Sequence, residues 1–482
     1  MLTRTAGPSQ GKPQVFFFLP SFPSLVLGLL LALLVSWPVS GQSAEVAAEA
    51  PAQATGQILA EAAGQPGATA DTAMLQSPAD FDDLVRLALR RSPFFNKSHL
   101  EIKVRRMDEA DSKSDLFPSI FFVSRYYPSQ PDNPSVTDPQ TYYVAFTTGD
   151  YNPLMAYLSL KARKVVTEIA RQAHLKVMSK GIETLGKSFL ELHGMNRLVE
   201  LQSTYVELAR ENLRSARERQ KLGQVVPMEV EIISQEEAVA RAHRAALLAT
   251  KERIEEGLRK FLDLEPGQPL RLDLTNARRQ VLGDFDPAKA SLEEAQKRDF
   301  DVRIKQLSQE LQTWNVALAK MKFMPSFNLV VQTPDPVSSN INRGTFFSLG
   351  LNFPIFEGFK RIRNIKRQKM VLQQFESEED VKAHELLQDW RDVEDDLRTA
   401  STEMQLAQAQ ADLARLKMKQ AETYYRTGEL DFAAFMQARR EYVEAQIKVA
   451  RKSMEYDLAA VELRSLTREL VYRFVKEERF SS

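Results

Sequence analysis

The chain has 482 residues, 64 Lys plus Arg against 64 Asp plus Glu, and no cysteine. Its length allows two or three ordinary domains or one large elongated one. The neutral charge balance argues against a general nucleic-acid binder, which carries a basic excess. The missing thiol excludes a disulfide framework, a thiolate metal site, a cysteine nucleophile and an N-terminal lipidated cysteine.

Residues 1–41 read as a signal peptide. Arg4 and Lys12 are the only charges before Glu45, and an apolar run, LVLGLLLALLV, covers Leu25 to Val35. That run is too short for a bilayer, which needs about 20 helical residues, but it suits a signal core. Val39-Ser40-Gly41 supplies small residues for cleavage. Residues 42–79, rich in Ala, Gln, Gly and Pro, read as a flexible leader. Order is expected from Asp80, placed as the N-cap of FDDLVRLALRR.

The rest of the chain repeats itself. LFPSIFFVSRY at 116–126 matches FMPSFNLVVQT at 323–333, and their Pro-Ser pairs lie 207 residues apart. TYYVAFTTG at 141–149 resembles TFFSLGLNF at 345–353, an offset of 204. Gly223 and Gly428 lie 205 apart in similar surroundings, and LVRLALRRSPF at 84–94 corresponds to LEEAQKRDFDV at 292–302 with an offset of 208. A nearly constant offset at four landmarks marks a duplication, with repeats at 80–285 and 286–475.

Each repeat reads as a strand pair followed by a long helical hairpin. The expected strands are 119–127, 142–149, 326–333 and 345–353; the expected helices are 156–222, 229–263, 360–427 and 430–472. Phe327, Leu329 and Val331 alternate with polar residues, as do Phe347, Leu349 and Leu351, which is the period of a strand with one apolar face. The first-half strands alternate less cleanly, and the sequence does not assign their faces. The connections 128–140 and 334–344 are dominated by Pro, Asn, Asp, Ser and Gly, as solvent loops are.

Residues 156–222 and 360–427 contain no proline. At 1.5 Å per residue each helix reaches roughly 100 Å. A seam at alternating three and four spacing, from Trp390, Val393 and Leu397 through Ala407 and Ala411 to Ala421 and Tyr425, predicts side-by-side helix packing. Leu247, Lys251, Ile254, Leu258 and Phe261 repeat that spacing in the first half. Gly223 and Gly428 supply the reversals. A soluble coiled coil explains the helices but not the strands, because a two-stranded hairpin is marginal in water and leaves open edges. Closure by oligomerisation removes the edges. No later segment carries an apolar run near 18 residues, so any membrane crossing must be a closed barrel.

These features resemble the TolC-like outer-membrane channels of Gram-negative bacteria, the outer-membrane factors. The resemblance covers about residues 80–470. It rests on the duplication, on Pro325-Ser326 ahead of a strand, on GLNFPIFEGFKR at 350–361, and on YYRTGELDFAAFMQARREYVEAQ at 424–446. The first half departs from the pattern, since TGDYNPLMAYLSLKARK at 148–164 lacks the glycine that follows the proline and aromatic residue.

The resemblance implies a mainly α fold with a small β part. It implies a homotrimer in which three copies of the four strands close one outer-membrane barrel, and the helices form a periplasmic tunnel. Pro354 would end the last strand near the periplasmic interface, Phe356 and Phe359 would join an aromatic belt, and Lys360, Arg361, Arg363 and Lys366 would begin the aqueous helix. The implied function is passive exit of substrates from a tripartite efflux pump or a type I secretion system. The implied partners are a periplasmic adaptor, an inner-membrane pump and outer-membrane lipid, without nucleic acid or cofactor. A periplasmic scaffold or adaptor without a channel is the competing reading. An adaptor would normally carry a β-rich module between its two helices, where this chain has a short Gly turn.

No catalytic constellation is evident. His99, His174, His193, His243 and His384 have no metal-ligand spacing, so they are expected as packing or surface residues, and the chain is expected not to be an enzyme. The candidate functional residues are the hairpin turns, Lys221-Leu222-Gly223 and Arg426-Thr427-Gly428, which the resemblance implies as adaptor-docking tips. The resemblance also implies Glu229 and Glu231 at the periplasmic entrance. Relatives often carry aspartates where Ala434 and Gln437 align, so Glu429 and Asp431 are expected to compensate there.

Overall fold

A computed structural model describes residues 78–126, 142–265, 268, 270–333, 346–353 and 355–475. The expected signal segment, nearly all of the expected leader, the two expected inter-strand loops and Pro354 lie outside the described residues.

Helix α1 (Phe81–Arg91) begins where Asp80 caps it, its carboxylate accepting the backbone N–H of Asp83 at 2.8 Å. It is followed by α2 (Pro93–Ser114), β1 (Ile120–Tyr126) and β2 (Tyr142–Thr148), then α3 (Pro153–Lys221) and α4 (Pro227–Phe261). Short helices α5 (Ala277–Leu282) and α6 (Leu292–Arg298) lead to α7 (Phe300–Met321), β3 (Ser326–Thr333) and β4 (Phe346–Asn352). The chain closes with α8 (Lys360–Thr427), α9 (Phe432–Leu466) and α10 (Glu469–Val475).

Three departures from the expected bounds have clear causes. Helices α3 and α4 begin two or three residues early, each with proline at its first position. Proline lacks an N–H that has no partner there anyway; Asn152 caps α3 by accepting from Met155 N at 3.0 Å. The helix expected over 430–472 is broken. Arg468 has φ +61, a left-handed backbone that ends α9 and lets α10 fold back. Nothing in the helical periodicity marks that position.

The four strands form one antiparallel sheet in the order β1-β2-β3-β4. The register assigns the faces that alternation left open. Phe122 pairs with Phe146, Phe146 with Val331, and Val331 with Phe347. One face therefore carries Ile120, Phe122, Phe146, Phe327, Leu329, Val331, Phe347, Leu349 and Leu351. The rings of Phe122 and Phe146 meet edge-on at 5.7 Å, and most of these apolar side chains are exposed in the single chain. The opposite face carries Thr147, Ser326, Asn328, Ser348, Gly350 and Asn352 along β2–β4, with Val330 and Ala145 among them, and Phe121 and Val123 on β1 at the edge. Near its lower end, Tyr151 bridges Phe327 through paired backbone bonds of 2.8 Å. That pairing is one residue out of step with Thr147↔Val330, so β2 bulges where it hands over to α3.

Below the sheet the long helices form a wall. Near the strands the neighbours run α2, α3, α7, α8; toward the far end they run α4, α3, α9, α8. The seam read from the sequence lies at the α8–α9 contact: Trp390, Leu397, Ala407, Ala411 and Ala421 are buried. Close approach elsewhere depends on Gly194, where a Cβ would sit 2.7 Å from Sδ of Met454. Polar ties cross the wall at Lys176–Asp301 (2.6 Å), Arg210–Glu237 (3.0 Å), Tyr205 to Glu444 (2.8 Å) and Lys452–Glu403 (2.7 Å). Apart from Arg210–Glu237, whose carboxylate is buried, these are partly or largely exposed pairs that contribute little singly; they fix which helix faces which.

The main apolar core lies midway, where the two repeats merge. Phe81 is fully buried against Phe189 (5.7 Å) and Phe474 (6.1 Å), residues from opposite ends of the chain. Trp390, Leu397 and Val461 belong to the same cluster as Leu84, Met178 and Ile182. At its edge Asp299 and Arg468 form a largely buried ion pair at 2.6 Å.

Candidate functional site

Both expected turns are hairpin tips. Gly223 has φ +71 and Gly428 φ +79, the left-handed conformation that glycine adopts at no steric cost. Each tip closes its helix by backbone bonds: Gln224 N to Arg219 O, and Glu429 N to Tyr424 O, both 2.9 Å. A Cβ at either glycine would meet nothing within 4 Å, so backbone conformation alone requires glycine there.

The tips differ in chemistry. In the first, Lys221 is exposed, and Leu222, Val226 and Met228 are exposed large apolar residues. In the second, Arg426 pairs with Glu422 at 2.5 Å, and the Thr427 hydroxyl donates to Tyr424 O at 3.1 Å. An aromatic cluster that sequence reading missed joins the two. Tyr425 stacks on Phe435 at 5.0 Å and meets Phe432 at 5.9 Å. Arg219 of the first hairpin lies over Phe432 at 5.9 Å. The three aromatics occur within eleven residues, and their convergence needs the turn at Gly428.

The expected entrance carboxylates divide into two kinds. Glu229 and Glu231 are exposed on the first turns of α4. Among the described residues neither forms an ion pair; Glu231 accepts from Gln235 at 2.9 Å. Glu429 is exposed in the turn. Asp431 is also exposed and at the same time serves the fold, since its carboxylate accepts from Ala434 N at 2.8 Å and caps α9. Gln437 donates to Glu441 at 3.0 Å. Above these residues a cleft of about 790 Å³ opens over α3, lined by Tyr205, Glu231, Glu236, Gln437 and Arg440 among others. Burial and Glu444 push the Tyr205 phenol up to about 12, so it stays a donor. Glu237 is held below the usual carboxylate range by the Arg241 and Arg210 guanidiniums.

His243 lines the cleft above the entrance residues, whereas two other histidines meet far from the tips. The rings of His174 and His99 meet at a tilt, 5.9 Å apart, on the α2–α3 contact. Ser98 donates to Phe95 O at 3.0 Å, leaving its oxygen to accept from His174 Nδ1 at 2.7 Å. Burial, then the charge of His99, lowers His174 to about 4, which keeps it neutral in the packed helices.

Comparison with known proteins agrees with this architecture. Residues 291–467 match the family described as outer membrane efflux protein. The CmeC outer membrane channel of Campylobacter jejuni superposes with a TM-score of 0.68 at 16% identity, covering 83% of this chain and 89% of that one. The outer membrane protein VceC of Vibrio cholerae gives 0.66 at 12%, covering 80% and 96%. The open-state MtrE outer membrane channel of Neisseria gonorrhoeae gives 0.64 at 14%, covering 80% and 88%. No curated protein sequence matches the chain significantly. The family match falls within the second repeat, and the fold is shared with these outer-membrane channels.

Proposed function

We propose that three copies of this chain assemble into an outer-membrane exit duct, through which substrates pass from a periplasmic adaptor and an inner-membrane pump to the exterior. One observation carries the reading. The four-stranded sheet has two open edges, β1 and β4, and an exposed apolar face. Open edges are unstable in water and forbidden in lipid, where only a closed barrel satisfies a sheet. The helical wall is open in the same way, ending in α4 on one side and α8 on the other. Ile232 and Val239 on α4, and Leu406, Leu413 and Leu416 on α8, are exposed there. Repetition of one chain about a three-fold axis closes sheet and wall together. The duct serves an efflux pump or a type I secretion system. A free-standing scaffold would leave the apolar sheet face uncovered.

Membrane fractionation with chemical crosslinking tests this reading. The expected result is a trimer in the outer-membrane fraction. Recovery as a soluble monomer, or in the inner membrane, overturns it.

Within the duct, the tips dock the adaptor, and Glu229 and Glu231 form the narrow entrance. Three-fold repetition gathers their unpaired carboxylates into a ring, and such rings favour cations. Replacing both by glutamine is expected to shift the reversal potential in a salt gradient toward anions. The shift should be largest at low salt, because screening acts over about 10 Å at 0.1 M. An unchanged reversal potential removes the ring.

A further inference from the structure

The strand–helix junction holds a second charged feature, of opposite sign to the entrance. A cleft of about 810 Å³ lies where β2, β3 and β4 meet α3, α7 and α8. Five cations line it: Lys322, just past α7, and Lys360, Arg361, Arg363 and Arg367 of α8. Only two carboxylates oppose them, Asp150 and Glu357. Glu357 is already taken, since Arg361 grips it with bonds of 2.8 and 2.9 Å. Asp150 accepts from Asn352 at 3.3 Å. Among the described residues Lys322, Lys360, Arg363 and Arg367 form no ion pair, and Nη1 of Arg361 is buried with no acceptor.

The register says which way this cleft faces. Ser326 pairs with Asn352, and both lie on the polar face, opposite Phe327 and Leu351. Asn152, whose side chain donates to Pro325 O at 3.1 Å, and Asp150, bonded to Asn352, extend that face downward. Lys360, Arg363 and Arg367 recur at three and four residue spacing, so one face of α8 presents them together. The cleft therefore continues the polar face of the sheet, the face that turns inward when the apolar face meets lipid. Inward cations with unfilled donors, beside the amides of Asn152, Asn352 and Asn364, match an anionic oxygen cluster. Charge-assisted bonds to phosphate or carboxylate are the strong ones.

We propose that this chain carries an anion-binding collar at the barrel–tunnel junction. Lys322, Lys360, Arg363 and Arg367 of each copy there contact phosphate, carboxylate or sulfonate groups of substrates in transit. The inference rests on the channel reading, because it needs an inward face. With three copies, an excess of three positive charges per chain becomes a ring that anions must cross, in series with the acidic entrance.

Planar-bilayer recording of the assembled protein tests it, with a Lys360→Gln, Arg363→Gln, Arg367→Gln triple variant and tripolyphosphate added on the strand side. The expected result is a drop of roughly threefold in the chloride-to-potassium permeability ratio at low salt, with block by tripolyphosphate weakened roughly tenfold. This is opposite in sign to the glutamine variant of the entrance. The single variants Arg363→Gln and Arg367→Gln, at exposed positions, are expected to give part of each change, and they carry the test if the triple variant does not assemble. A conducting pore with unaltered selectivity and block in the variants overturns the collar and leaves the channel intact. Failure of the wild-type protein to conduct overturns the channel reading and the collar with it.

Discussion

Gly428→Val is expected to abolish export while the barrel still assembles. Gly428 sits at φ +79, and a Cβ there would have nothing within 4 Å, so valine would clash with no neighbour. The cost is conformational. A left-handed backbone is unfavourable by about 1–2 kcal/mol for an L-residue, and more for a branched side chain. Relief would rotate the turn and lose the bonds of Glu429 and Leu430 to Tyr424 O, 2.9 and 3.1 Å. The stacked Tyr425 and Phe435 would separate, and the second tip would leave the first. The 68-residue α8 places this damage about 100 Å from the strands, out of reach of barrel closure. Efflux assays, adaptor crosslinking and trimer recovery measure the three consequences separately, with Gly428→Ala as a milder variant. Normal export by the valine variant, with adaptor crosslinking preserved, rejects docking at this tip.

Asp299→Ala is expected to lower the stability of the mid-chain core by about 3–5 kcal/mol, the range for breaking a buried pair from one side. Asp299 is buried and does two things at once. One oxygen accepts from Asp301 N (2.8 Å) and Val302 N (3.0 Å), capping α7. The other meets Arg468 at 2.6 Å. Arg468 also lies over the Phe300 ring at 5.1 Å and holds the break between α9 and α10. Alanine would leave that guanidinium enclosed without its carboxylate, and α7 without its cap. Asp299→Asn keeps an acceptor for the cap and is expected to fall between. Urea unfolding followed by far-UV circular dichroism reads the difference. An alanine variant that unfolds with the wild type would show that the pair is no anchor.

Some residues announced their place in the chain. Asp80 before an apolar helical pattern is a cap because a short carboxylate reaches an orphan N–H wherever it precedes a helix. Gly223 and Gly428 mark reversals because they end long uninterrupted helical runs. The seam from Trp390 to Ala421 buries as its spacing requires, because heptad spacing keeps one stripe against a neighbour. Other residues gave less. The helix starts expected at 156 and 229 fall two or three residues late, because Pro153 and Pro227 are first residues of helices, where a missing N–H costs nothing. Asp431, expected at the entrance, also caps α9, a role set by the backbone turn that precedes it.

The mainly α fold class with its strand pairs and long hairpins, and the position of the tips, were determined by the sequence itself, since periodicity, capping and turn chemistry act over a few residues. Tertiary structure decided the rest. It set the faces of β1 and β2 through pairing with β3 and β4, because a strand with apolar residues on both sides has no inside until a partner defines one. It broke the last long helix at Arg468, because a buried carboxylate 169 residues away holds that guanidinium. It turned Lys360, Arg363 and Arg367 toward the polar face of the sheet, because the direction of a helix face depends on how the helix leaves the strand before it.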